Sequence, residues 1–232
     1  MAFEYEYELE KLAKEESWRM FRIIGELVEG FDSLTGVEPA VTVYGSARVA
    51  ESDELWKQTE DIAYRLGKQG FSIITGGGPG LMAAANCGAQ KAGVPSIGLN
   101  IELPQEQVIN PYTTKSITFH HFFVRKVMLA KYATAFIIMP GGLRTLDELS
   151  EVLTLIQTQK IKPFPVILYK RSYWQGLLDW LQNTVLASGN ISPEDLTLLR
   201  VFDNPDDVIE TVQRWHKKHE VSGKQVFDVT DV

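Results

Sequence analysis

Residues 134–148 read TAFIIMPGGLRTLDE. A run of β-branched and aromatic residues ends in a proline and two glycines. A threonine, two acids and a long amphipathic segment follow. That order describes a buried strand, a tight turn and the start of a helix. A strand that runs through a glycine turn into a helix is half of a β-α-β unit, and the free amides of the helix N-terminus attract anions. Arg144 stands in the middle of the turn, at a place suited to another glycine. It either obstructs an anion site or forms part of one.

The same texture recurs outward from this stretch. VTVYGS, FSIITGG, VPSIGLN, SITF, FPVILYK and LLRVFD are further short strand-like runs. Helical patterns separate most of them, over 53–69, 79–92, 121–132, 145–160, 174–187 and 205–219. Strands alternating with helices predict a Rossmann-like, doubly wound α/β fold, with a mainly parallel sheet flanked by helices. Residues 4–31 carry Leu9, Leu12, Trp18, Phe21, Ile24, Leu27, Val28 and Phe31 at mostly three- and four-residue spacings. They predict an extra N-terminal helix, broken near Gly25, that wraps the domain or a partner subunit. Residues 1–219 read as one domain, and 220–232 as a loose C-terminal tail.

Bulk properties narrow the function classes. The 232 residues contain 23 Lys and Arg against 30 Asp and Glu, for a net charge of −7. This balance argues against a general nucleic-acid binder, so a phosphate ligand must be held by a local positive site. The single cysteine, Cys87, excludes an intramolecular disulfide and a cysteine-based zinc cluster. Its neighbours make it a small buried helix residue. The N-terminal stretch is acidic and lacks a hydrophobic signal core, and no apolar run is long enough to span a membrane. A cytoplasmic protein is expected.

In an open parallel sheet, ligands bind beyond the C-terminal strand ends. Three such junctions stand out. After the first strand, Gly45 and Ser46 offer backbone amides and a hydroxyl, or simply make a tight turn. After the second, Gly76, Gly77, Gly78 and Gly80 permit close backbone approach, with Pro79 suited to the first turn of the next helix. The third junction is the opening stretch, with Gly141, Gly142 and Thr145. If Thr145 caps the helix, Glu148 completes a capping box; otherwise its carboxylate faces the crevice. Arg125 and Lys126 sit near a helix start, the unfavourable end of the helix dipole, which suits residues facing an anion or a carboxylate. His120 and His121 lack a spaced third ligand, so no metal is expected.

Together, VYGSAR, GGGPGLMAAANCGA, FFVRK, PGGLRTLDE and ELSEVLTLIQTQKI resemble the LONELY GUY (LOG) family of Rossmann-like proteins, also called "lysine decarboxylase-like". The resemblance covers roughly residues 40–215. Its most specific part is an Arg-Lys pair followed by P-G-G-x-G-T-x-x-E. The resemblance implies a phosphoribohydrolase that releases free base and ribose 5-phosphate from a nucleoside 5′-monophosphate. It assigns catalysis to Arg125 and Glu148, and places the phosphate at the Pro140–Thr145 turn with Gly141, Gly142 and Thr145; Gly45, Ser46, Gly77, Gly78, Gly80, Asn86, Lys126 and Arg144 are the further candidate binding residues. It implies no metal or organic cofactor, and a homodimer with the active site near the subunit interface. A decarboxylase is not expected, because no lysine is marked out for pyridoxal phosphate.

The sequence departs from the family pattern twice. Arg144 replaces the motif glycine, and Ala83 stands where relatives commonly carry glutamate. Arg144 would be strained in a left-handed turn. It would otherwise grip a phosphate, or pair with Glu148 one helical turn away. The expected activity is therefore nucleotide hydrolysis, with AMP or a modified-adenine nucleotide as substrate. The alternative is a nucleotide- or phosphate-binding protein of the same fold with weakened turnover.

Overall fold

The computed structural model describes residues 2–103 and 110–220. The expected tail, 220–232, lies outside the described residues beyond Glu220. Seven described strands form one sheet: β1 (Ala40–Tyr44), β2 (Ser72–Thr75), β3 (Ser96–Ile101), β4 (Lys115–Phe119), β5 (Ala133–Ile138), β6 (Val166–Tyr169) and β7 (Leu199–Phe202). Their spatial order is β4-β3-β2-β1-β5-β6-β7, and every neighbouring pair is parallel. The chain winds outward from β1 in one direction and from β5 in the other, so the switch point lies between β1 and β5. Parallel strands covered on both faces should be apolar throughout, and β1, β2, β5 and β6 are buried along their whole length.

Alternation sorts these side chains between two cores. On one face Val41, Val43, Ile73 and Ile137 pack with α2 (Glu54–Gly67), α3 (Leu81–Ala92) and α8 (Pro205–Glu220). On the other, Tyr44, Ile74, Phe136 and Ile138 pack with α4 (Phe122–Lys131), α5 (Leu143–Gln157) and α6 (Arg171–Trp180). The last turns of α6 continue as a π-helical segment, Leu181–Leu186, and a short α7 (Pro193–Leu196) precedes β7. Cys87 is buried in α3, as its sequence context predicts.

The N-terminal helix α1 (Ala2–Leu34) is continuous, so the expected break at Gly25 is absent. A single glycine costs a helix only about 1 kcal/mol. Nothing crowds the position of a Cβ at Gly25, whereas a Cβ at Gly30 would meet Met128. Gly30 is thus the point where α1 rests closely on α4. The Glu26 carboxylate accepts from the backbone amides of His120 and His121 at 3.3 and 3.2 Å. It thereby caps α4, whose own N-cap residue, His121, makes no side-chain cap. The histidines act through these contacts with Glu26, and no metal-binding cluster occurs among the described residues. No described helix is long and apolar enough to cross a membrane.

Candidate active site

The turns after β1, β2 and β5 meet at the switch point and are bonded into one platform. Ser46 donates its amide to the Pro140 carbonyl (2.9 Å), and Leu81 donates its amide to the Ser46 carbonyl (2.9 Å). Met139 donates to the Tyr44 carbonyl at 2.8 Å. The Ser46 amide is therefore spent on the scaffold, and the anion donor expected there is reduced to the hydroxyl. That oxygen already accepts from the Arg48 amide at 3.1 Å. Two glycines are fixed by geometry. Gly80 has φ +67°, and a Cβ there would strike the Ser46 carbonyl. A Cβ on Gly76 would strike the Arg125 guanidinium.

A buried polar network stands behind the second turn. Asn86 has no exposed surface. Its amide nitrogen donates to Ser96 Oγ (2.8 Å) and the Ile97 carbonyl (3.3 Å). Its oxygen accepts from Thr75 Oγ1 (2.6 Å) and Asn110 Nδ2 (2.9 Å). Thr75 Oγ1 in turn accepts from the Gly77 amide at 3.0 Å, and Asn110 donates to the Gly78 carbonyl at 3.3 Å. Asn86, expected to touch the ligand, instead holds Gly77 and Gly78 in place through Thr75 and Asn110. Pro79 lies just outside α3, whose N-cap is Gly80.

At the third turn, Gly142 is the N-cap of α5 and Thr145 is a buried residue inside its first turn. Thr145 is therefore not the cap, and the capping-box reading of Glu148 falls with it. Tyr173 of α6 donates its hydroxyl to the Gly141 carbonyl at 2.7 Å, a support that sequence spacing did not reveal. Arg144 lies in the first turn of α5 with right-handed helical backbone, so the expected strain does not arise. Its side chain is exposed, and it makes no ion pair with Glu148.

Arg125 and Glu148 come together on the face carrying α4 and α5. Arg125 reaches back across the sheet edge: Nε donates to the Leu99 carbonyl at 2.6 Å and Nη2 to the Gly76 carbonyl at 3.3 Å. Two carbonyls thus hold the guanidinium while leaving donors unused. Burial lowers its pKa, and the negative charge of Glu148 pulls it back up. An arginine nonetheless stays cationic. Glu148 is 8% exposed. Burial pushes its carboxyl up to about 7, against the pull of Arg125 and Lys126. Lys126 is bound to Asp147 (2.8 Å) and Glu151 (2.9 Å), so its ammonium is engaged away from the expected phosphate role. Ala83 is buried in the first turn of α3.

A doubly wound sheet whose switch-point crevice joins two glycine turns at helix N-termini to a buried carboxyl and a fixed guanidinium defines a Rossmann-like protein. Residues 82–212 match the family described as "Possible lysine decarboxylase", and the chain belongs to that family, the LOG family of the motifs above. Similar proteins include the cytokinin riboside 5′-monophosphate phosphoribohydrolase of Mycobacterium tuberculosis, 30% identical over 178 residues, 73% of this chain and 90% of the relative. A probable enzyme of the same description from Oryza sativa subsp. japonica is 29% identical over 170 residues, 69% of this chain and 68% of the relative. Among solved structures, the molybdenum cofactor binding protein of Rippkaea orientalis shares the fold at TM-score 0.54 and 22% identity, covering 75% of this chain and 94% of that one. The Moco carrier protein of Chlamydomonas reinhardtii does so at 0.54 and 22%, covering 78% and 98%.

Proposed function

We propose that this protein is a nucleoside 5′-monophosphate phosphoribohydrolase acting on AMP or a modified-adenine nucleotide. The observation that carries the reading is the Glu148 carboxyl, buried beside Arg125 with its pKa pushed up to about 7. A carboxyl titrating near neutrality can take a proton and return it. The reaction adds water across the N-glycosidic bond. Water oxygen bonds to C1′ of the ribose, the C1′–N bond breaks, and its electron pair leaves with the base. Positive charge grows on the sugar as that bond lengthens, and an ionised Glu148 stabilises it, as carboxylates do in glycoside hydrolysis. Glu148 then carries the proton from the attacking water to the departing nitrogen. Arg125 orients the carboxylate and the substrate through its unused guanidinium donors. The α3 and α5 N-termini, with the Gly77–Gly80 and Gly141–Gly142 turns, hold the 5′-phosphate and fix the ribose. Arg144, exposed at the first turn of α5, adds a cation at the mouth.

A cytoplasmic homodimer completes the proposal. Trp18, Phe21, Ile24 and Val28 form an apolar stripe on α1, each more than half exposed, and Phe122 and Phe123 of α4 extend it. A stripe of that size on an outer helix suits a second copy of the chain. Light scattering at micromolar concentration should give twice the chain mass, and a monomer would refute the dimer.

The test of function is product chromatography across the common nucleoside monophosphates. Free base and ribose 5-phosphate are expected in equal amounts, with loss on Glu148→Gln or Arg125→Ala. A folded protein that binds nucleotides and releases no base would refute hydrolysis and favour the weakened binding protein.

A further inference from the structure

Tyr44 ends β1 at the switch point, directly paired in register with Ile138 of β5. Strand alternation turns its side chain to the same face as Thr42, whose hydroxyl donates to the Leu129 carbonyl of α4 at 2.9 Å. That is the face of Arg125 and Glu148. The Tyr44 ring packs on Phe136, with centroids 5.1 Å apart, within the core that also holds Leu149 and Val152 of α5. Leu149 follows Glu148 in sequence, and Val152 stands one helical turn beyond it. Tyr44 is 6% exposed, and its hydroxyl is buried with no hydrogen-bond partner. A buried hydroxyl left unpaired costs on the order of 1–3 kcal/mol, so an orphan at the centre of a site calls for a reason.

The groups around it supply one. Glu148 takes no hydrogen bond among the described residues, although Arg125 and Lys126 of α4 and Asp147 and Glu151 of α5 all act on its charge. Glu151 and Asp147 are already matched by Lys126. Arg125 commits Nε and Nη2 to carbonyls. Two carboxylates act on Tyr44 by their charge, Glu148 and Glu151; Glu151 Oε2 forms no hydrogen bond but lies 2.9 Å from the Lys126 ammonium as an ion pair, which leaves Glu148 as the acceptor. A neutral carboxyl asks little of a donor, whereas an ionised one gains a strong charge-assisted bond. We propose that Tyr44 is a positioning residue whose hydroxyl donates to Glu148 when that carboxyl ionises, holding the carboxylate in its working orientation. The purpose rests on the phosphoribohydrolase reading, but the contact itself does not.

Tyr44→Phe keeps the ring and its packing on Phe136 and removes only the donor. The direct test is a carboxyl titration by NMR of protein labelled with 13C-glutamate, the Glu148 signal being assigned by its loss in Glu148→Gln. In Tyr44→Phe the Glu148 midpoint should rise by about one pH unit, the equivalent of a bond of about 1.4 kcal/mol. Replacing Tyr44 with 3-fluorotyrosine, a stronger donor, should lower it. A midpoint that stays fixed in both variants overturns the proposal. With AMP as substrate, Tyr44→Phe should lower kcat about tenfold, leave KM nearly unchanged, and move the acidic limb of the pH profile upward with the titration. A fall in kcat with an unmoved limb would also overturn it. If the wild type cleaves no nucleotide, the proposed function fails while the titration still decides the role of Tyr44.

Discussion

Glu148→Gln separates the functional worth of the carboxyl from its structural cost. Burial raises the Glu148 pKa from an ordinary 4.5 to about 7. The folded state therefore holds its proton more tightly than the unfolded chain does. Between those two values the folded state carries more protons, so stability falls as pH rises and levels off above pH 7. A shift of about 2.5 units corresponds to about 3 kcal/mol at 1.36 kcal/mol per unit. Glutamine fills the same space and cannot ionise, so this penalty disappears. It also removes the countercharge of Arg125, an attraction that appears as Glu148 ionises and is already contained in its net pKa of about 7. The clean quantity is therefore the difference between the two stability curves. Denaturant unfolding from pH 4.5 to 8.5 should show Glu148→Gln gaining about 3 kcal/mol on the wild type across that range, roughly 6–12 °C in Tm. Hydrolysis should fall about 10²- to 10⁴-fold, the usual loss of a general acid–base group. Parallel stability curves would show that the carboxyl titrates normally, and Glu148 would lose its place as the proton carrier.

Three further outcomes test the surrounding scaffold. Gly76→Ala inserts a Cβ where the Arg125 guanidinium lies; turnover should fall on the order of 10²-fold with the fold retained, and unchanged turnover would show that the exact seat of Arg125 is unimportant. Asn86→Ala strips partners from Thr75, Ser96 and Asn110 in a site with no exposed surface; it should cost about 3 kcal/mol, and a loss below about 1 kcal/mol by denaturant unfolding would refute its role behind the glycine turn. Arg144→Gly combined with Ala83→Glu should leave nucleotide turnover on the same scale as the wild type; a large gain in base release would mean that the natural site is catalytically weakened.

The fold was legible because its determinants are local. Each strand announces itself by an apolar run, and each helix N-terminus at the crevice by glycines, so the switch-point site followed from the order of elements alone. What escaped the sequence is set by distant partners. Nothing in VTVYGS marks the Tyr44 hydroxyl as buried without a partner, because that depends on α4 and α5 packing over it. Nothing near Asn86 reveals that Ser96 and Asn110 consume its amide. The sequence leaves Thr145 either as the cap of α5 or as a residue of its first turn, because Thr145 offers the stronger capping chemistry while Gly142, the actual cap, starts the helix without any side-chain bond. The position of the cap carries the consequence for Arg144. Placed in a turn, it would be strained; placed in the first helical turn, it is an exposed cation at ordinary backbone cost.

The distribution of charge around Glu148 bears on why the site retains a raised pKa. Two cations, Arg125 and Lys126, pull the carboxyl toward its ionised form. Lys126, however, is divided between Asp147 and Glu151, and Arg125 is drawn toward the Leu99 and Gly76 carbonyls. Asp147 and Glu151 also raise the Glu148 pKa by their own charge. The acids on α5 thus blunt the pull of Lys126 and leave desolvation in control. Neutralising Asp147 alone should loosen that arrangement: Lys126 would be freer to act on Glu148, and one repulsive charge would be gone. Both effects push the carboxyl down toward its ordinary range. Asp147→Asn should accordingly move the Glu148 midpoint below 7 in the same carboxyl titration, by less than burial raises it; an upward movement would contradict the charge effect of Asp147, and a fall all the way to the ordinary range would contradict burial as the dominant force on this site.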